Sequence, residues 1–163
     1  MTARPELIKV QLCSGLLIRD TSLLLVRCVY AGEAQALWVL PGGRQELGET
    51  IEEAVIREFA EETSLRVRPT SLAYVSESLD PDHGYHVVNC TFFMEEIGEY
   101  AVPRPADQAV VEARFVAASD TPALLAADVL RVPVTAALAG DLGMRYFSFR
   151  PETTVVPFFG RPA

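Results

Sequence analysis

Several things that would each fix the class of this 163-residue chain are scarce or absent from it. Its three cysteines, Cys13, Cys28 and Cys90, are odd in number, widely spaced and without a CxxC pair. That excludes a disulfide framework and a cysteine-ligated zinc site, and predicts reduced, buried thiols. The two histidines, His83 and His86, lie in or beside the stretch LDPDHGY with Asp80 and Asp82, but no third ligand stands at a settled spacing, so the stretch reads as a solvated turn. Positive charge is short: 14 Lys+Arg against 22 Asp+Glu leave a net charge of -8. An acidic surplus excludes a partner held by phosphate neutralisation, a nucleic-acid duplex above all. Long apolar runs are missing as well. The opening MTARPELIKV has no signal-peptide core, and Arg19 and Asp20 interrupt the apolar stretch 13–26 well before membrane-spanning length. A cytoplasmic protein with no membrane partner is expected. There is no GxxxxGK[ST], which excludes a P-loop, and no repeat, low-complexity tract or linker. With 50% apolar residues, one domain over residues 1–163 around a single core is the expectation.

What is present alternates strands with helices. IKVQLCSGLLI (8–18) and SLLLVRCVY (22–30) are β-rich runs about a polar turn, and ALWVL (36–40) is a short third strand stopped by Pro41, Gly42 and Gly43. Residues 50–63 carry helical apolar spacing. Segments 65–78, 86–96 and 109–117 are further strands; Ser119, Asp120 and Thr121 cap one short helix, PALLAADVL. The tail 144–159 is aromatic and β-prone, with a turn near Pro151, and its aromatics suit core or dimer contacts. Trp38 is explained by packing, since it shares a period of two with Ala36 and Leu40.

The stretch GGRQELGETIEEAVIREFAEETSL (42–65) crowds seven carboxylates into a segment that otherwise reads as a helix meant for burial. Thr50 and Glu53 form a T-x-x-E capping box, so the helix starts at Ile51 and Glu53 needs no chemistry. At 100° per residue, Ala54, Val55 and Phe59 lie within about 80° of Ile51. Glu58 and Glu62 lie about 20° to either side of it, in the middle of the apolar stripe, and Glu61 borders the stripe. Arg57 stands four residues from both Glu53 and Glu61, but no base at helical spacing serves Glu58, and Glu62 gains one only if the helix reaches Arg66. Burial and mutual repulsion would then raise both pKa values. A divalent cation removes the difficulty, because carboxylates at i and i+4 project together and suit Mg²⁺ or Mn²⁺. Metal-assisted attack of water on a phosphoryl group follows as the chemistry.

Gly43, Glu49, Arg57, Glu58, Phe59, Glu61, Glu62 and Leu65 stand at the spacing of the Nudix box, which this stretch resembles, and WVLPG is similar to the family's lead-in. The resemblance implies an α/β (α+β) fold, an α/β/α sandwich with a mixed central sheet. It implies hydrolysis of a nucleoside diphosphate linked to another group X, with Mg²⁺ or Mn²⁺ as cofactor and a small nucleotide as partner. Glu58 and Glu62 would be the principal metal ligands, Glu61 would assist, and the Gly42 carbonyl would complete the shell. Arg57 would orient Glu49 or the neighbouring glutamates; Gly43 and Arg27 would contact substrate. Family members are often dimers, which leaves a homodimer open. Two departures stand out. The family's glycine near the helix end is Ser64, which costs about 1 kcal/mol if that terminus is left-handed. A further acid that many members carry falls at Gln108 or Ala109, so the general base stays open between Glu58, preferred, and Glu112, Glu95 or Glu96. The alternative from another class is a nucleotide-sensing module that keeps the fold and does not cleave.

Overall fold

The computed structural model describes residues 6–30, 34–141 and 146–150. In chain order it contains β1 (Ile8–Arg19), β2 (Ser22–Cys28), β3 (Leu37–Val39), β4 (Gly42–Arg44), α1 (Ile51–Thr63), β5 (Val67–Asp80), β6 (Tyr85–Glu96), β7 (Val110–Ala117), α2 (Thr121–Leu124), α3 (Asp128–Leu138) and β8 (Tyr146–Phe149). The strands order as β3-β2-β1-β6-β5-β8, with β4 also on β1 and β7 also on β2. The sheet is mixed: β1 runs parallel to β6 from Ile8↔Tyr85 to Leu17↔Met94, and β5 parallel to β8, while the other pairs are antiparallel.

Alternation along the strands places a helix on each face. Cys13, Leu17 and Leu24 point to one side and meet Ala54, Val55 and Phe59 of α1. Leu16, Leu23 and Leu25 point to the other and meet Leu125 and Val134 beneath α3. Burial of a side chain such as Val55 or Phe59, both at 0% exposure, is worth about 1.5–3 kcal/mol. This is the expected α/β/α layering, and α1 lies close because Gly15 is a glycine. A Cβ there would stand 2.5 Å from Phe59 Cε2 and 2.6 Å from Met94 Cγ.

Three local expectations are corrected. Gly42 and Gly43 do not merely stop β3; with Arg44 they form β4, antiparallel to Leu12–Ser14. The approach is too close for side chains, since a Cβ on Gly42 would lie 2.1 Å from the Cys13 carbonyl oxygen. The single helix PALLAADVL is two, α2 and a longer α3 that continues through buried Pro133. Proline normally argues against an interior helix position, and here its ring is accommodated in an element only 11 residues long. Finally, Asp120 is the N-cap of α2 but makes no side-chain cap bond, while the Thr121 hydroxyl donates to the Ala117 carbonyl.

Of the aromatic tail, Phe147 packs edge-on against Tyr74 and Phe149 is buried; Pro151, Phe158 and Phe159 lie outside the described residues. No helix among the described residues is long and apolar enough to cross a membrane.

Candidate active site

Local signals build the site. Thr50 accepts from the Glu53 amide at 3.2 Å, and the Glu53 carboxylate accepts from the Thr50 amide at 2.6 Å, so the capping box starts α1 at Ile51. At the other end Ser64 adopts φ 58°, ψ 14°, the left-handed terminus for which the family uses glycine. Its hydroxyl donates to the Arg104 carbonyl at 2.6 Å, which offsets the strain.

Arg57 is the hub of the loop and helix. Its guanidinium donates to Glu49 at 2.8 and 3.1 Å, to Glu58 at 2.9 Å, to Glu61 at 3.3 Å and to the Arg44 carbonyl at 3.0 Å. The Glu49 bonds hold that carboxyl below its ordinary pKa. Glu58 therefore has a basic partner after all, the residue beside it. Counting only three- and four-residue helical spacings misses this because a long guanidinium can fold back along the helix surface. Even so, burial dominates and leaves the Glu58 carboxyl above its usual range. That carboxylate lies against Gly43, where a Cβ would stand 2.4 Å from Glu58 Oε1.

Glu62 is the outlier. It is 7% exposed and accepts from the Gly42 amide at 2.8 Å. Helix α1 stops at Thr63, so Arg66 stays out of helical register and exposed. Burial pushes the Glu62 pKa well up, with Glu58, Asp107 and Glu61 adding repulsion. It is the Gly42 amide, rather than its carbonyl, that meets the acid in this arrangement.

Asp107 was not anticipated. The expected acid fell at Gln108 or Ala109, yet the acid that acts electrostatically on both Glu58 and Glu62 is one place earlier. The amides of Ala106 and Asp107 cap the Glu61 carbonyl at 3.0 and 2.9 Å, and that of Arg104 caps Thr63 at 2.8 Å. The loop thereby closes α1's free carbonyls and brings Asp107 to the helix's negative end. The only sequence sign was an acid shortly before an aromatic-Val pair, in a register one residue off the family's.

The proposed substitutes for the base are engaged elsewhere: Glu112 with Arg27 and Arg114, Glu95 with Arg68, and Glu96 with Arg19. Arg27 is not on a sheet edge, because β2 lies between β3 and β7. It forms a rung with Trp38 and Glu112, 3.4 Å from the Glu112 carboxylate and 5.7 Å from the Trp38 ring centroid. Trp38 also carries Arg114, at 4.8 Å. His83 pairs with Asp80 at 2.8 Å, in keeping with a turn, whereas His86 is not part of the turn but stands on β6, half-buried, and pairs across the sheet with Glu77 of β5. Cys13 and Cys28 are buried and free with pKa values pushed up to about 12; Cys90, expected to be buried, is only half-buried.

Among the described residues no three His, Cys, Asp or Glu side chains already converge as a ligand set; Glu58 and Glu61 turn to Arg57 instead. The donor set nevertheless fits a hard cation. Glu62, buried with the Gly42 amide as its donor near the carbonyl end of α1, feels the charges of Glu58, Asp107 and Glu61, and the last turn carries no basic residue.

The chain is similar to known proteins in sequence and in fold. A family model described as NUDIX domain matches residues 10–138. An ADP-ribose pyrophosphatase of Methanocaldococcus jannaschii is 39% identical over 84 residues, 52% of this chain and 49% of that protein. The match thus spans about half the relative's length. A NUDIX hydrolase from Nitrosomonas europaea superposes with TM-score 0.71 at 22% identity, covering 85% of this chain and 93% of the other. A MutT NUDIX hydrolase from Burkholderia pseudomallei gives 0.67 at 25% identity, covering 78% and 97%.

Proposed function

That the chain belongs to the NUDIX family is the premise from which we propose that it is a divalent-cation-dependent pyrophosphohydrolase. It cleaves a nucleoside diphosphate linked to a group X into a nucleoside monophosphate and phosphate-X. The observation that carries this is Glu62, a carboxylate buried among three other acids at the wrong end of a helix dipole, an arrangement that makes sense as a cation site.

Glu62, fixed by the Gly42 amide, and Glu58 would hold Mg²⁺ or Mn²⁺, with Glu61 assisting; Mg²⁺ takes one or two carboxylates and leaves room for phosphate oxygens. A cation held there would supply charge neutralisation on the diphosphate and a more nucleophilic water. Arg57 positions Glu58 through the 2.9 Å bond and ties it to the loop through Glu49. Glu58 is the first choice to accept the proton of the attacking water, and Asp107 is the second choice for that role.

The relative's name puts ADP-ribose first in a panel with nucleoside triphosphates, other nucleotide sugars, dinucleoside polyphosphates and coenzyme A. With Mg²⁺, at least one should yield a nucleoside monophosphate, and Glu62→Gln should abolish the product while the far-UV spectrum is unchanged. Activity retained in Glu62→Gln would sink the assignment. No product from any substrate with the wild type would favour the sensing module.

A further inference from the structure

Between the end of β6 and the start of β7 the chain runs through residues 97–109 and buries none of them. Its large apolar side chains, Ile97, Tyr100 and Val102, are all exposed. Hydrophobic packing therefore does not place this segment, and polar contacts must. Asp107, whose charge acts on Glu58 and Glu62, is carried by it.

One residue of the sheet holds the first half. Arg19, at the end of β1, forks onto the Glu96 carboxylate at 3.1 and 2.6 Å and donates to the Ala101 carbonyl at 3.0 Å. Its guanidinium also lies 4.6 Å from the centroid of the Tyr100 ring and 4.1 Å from that of Phe115. A guanidinium suits the position, since its fork pairs with a carboxylate while its faces stack on rings. One cation thus grips the strand that enters the segment, the segment itself and β7, the strand that leaves it.

The second half is held at α1. The amides of Ala106 and Asp107 share one acceptor, the Glu61 carbonyl, and the Asp107 carboxylate accepts from the Ala109 amide at 2.8 Å. The carboxylate is therefore oriented within the segment, whereas one shared acceptor does not fix the backbone against rotation about that point. Between the Arg19 grip and Asp107 stand Pro103 and Pro105, whose fixed φ limits how far a shift at Ala101 can be absorbed along the way.

We propose that Arg19 is a positioning residue: by gripping Tyr100 and Ala101 it sets where the charge of Asp107 falls relative to Glu58 and Glu62, and so how strongly the acid cluster attracts a divalent cation. The inference rests on the cation-dependent reading of that cluster, and cation binding measured without turnover lets the two fail separately.

Mn²⁺ alone is titrated into the protein, and the free ion is followed by its EPR signal. Asp107→Asn should weaken binding by about fivefold, the order expected when one carboxylate charge stops acting on a divalent cation through water. Tyr100→Ala removes an exposed ring, leaves the pair of Arg19 and Glu96 whole, and should weaken binding by about twofold to fivefold. Tyr100→Phe keeps the ring and should restore wild-type affinity. Arg19→Met combined with Glu96→Gln strips the grip without stranding a buried carboxylate, and should weaken binding at least as much as Tyr100→Ala. In the Asp107→Asn background neither change should weaken Mn²⁺ further. A purely structural role would instead lower the urea midpoint and reduce affinity equally in both backgrounds, and that result would overturn the proposal. So would unchanged affinity in Asp107→Asn, or in the combined Arg19 and Glu96 variant. Mn²⁺ binding with this coupling but no hydrolysis of any substrate would overturn the hydrolase reading alone, and a wild type that binds no Mn²⁺ would overturn both.

Discussion

A carboxylate that burial pushes well above its ordinary pKa, as in Glu62, binds its proton more tightly in the folded protein than in the unfolded chain. The sign of the resulting pH dependence follows from linkage. Stability from this group is fully present below the unfolded value of about 4.3 and is lost as pH rises toward the folded one. With EDTA present, the urea midpoint should fall between pH 5 and pH 8, and the fall should shrink in Glu62→Gln, whose amide oxygen can still accept from Gly42. An undiminished slope in the variant would assign the effect elsewhere. The acids themselves were legible in the sequence because helical period and charge conflict there without any tertiary knowledge. Asp107 was not, since it reaches the cluster only through a loop that caps α1 from more than 40 positions away. Nor was the Arg57 bond to Glu58, which depends on a rotamer rather than on spacing.

At the scale of one element, α1 shows local signals and tertiary packing agreeing. The capping box sets its start, Gly15 sets how closely it lies on β1, and Ser64 sets its end. Two terms compete at Ser64: a left-handed backbone costs about 1 kcal/mol, and a hydroxyl bond to the Arg104 carbonyl returns about 0.5–1.5 kcal/mol. Ser64→Ala keeps the strain and loses the bond, so it should lower stability by about 1 kcal/mol. Ser64→Gly loses both and should differ from wild type by less than Ser64→Ala does. Denaturant midpoints of the two variants distinguish these outcomes, and a Gly variant less stable than the Ala variant would contradict this balance. The ends of α1 were readable because a cap is a four-residue pattern. β4 was hidden by the glycines that make its pairing sterically feasible, and α3 by Pro133, whose usual reading is a stop.

Over the whole molecule, a cation that binds only the folded state adds about 2.7 kcal/mol when present at a hundred times its Kd. For a chain of this size each kcal/mol is worth roughly 2–4 °C. Saturating Mg²⁺ should therefore raise the melting temperature by about 5–10 °C, and Glu62→Gln should abolish most of that rise; an equal rise in both proteins would place the cation elsewhere. The layered class was readable from alternating strands and helices, whereas strand order was not, because pairing between distant segments leaves no periodicity in either. The parallel ladder of β1 on β6 is the plainest case. Its partners stand 77 positions apart, as Ser14 and Thr91 do. During synthesis at about 5–20 residues per second, β1 must wait on the order of 4–15 s for its neighbour to be made. One edge of this apolar strand thus stays open on the ribosome after β2 and β4 have been made, a window in which holdase chaperones would find their substrate.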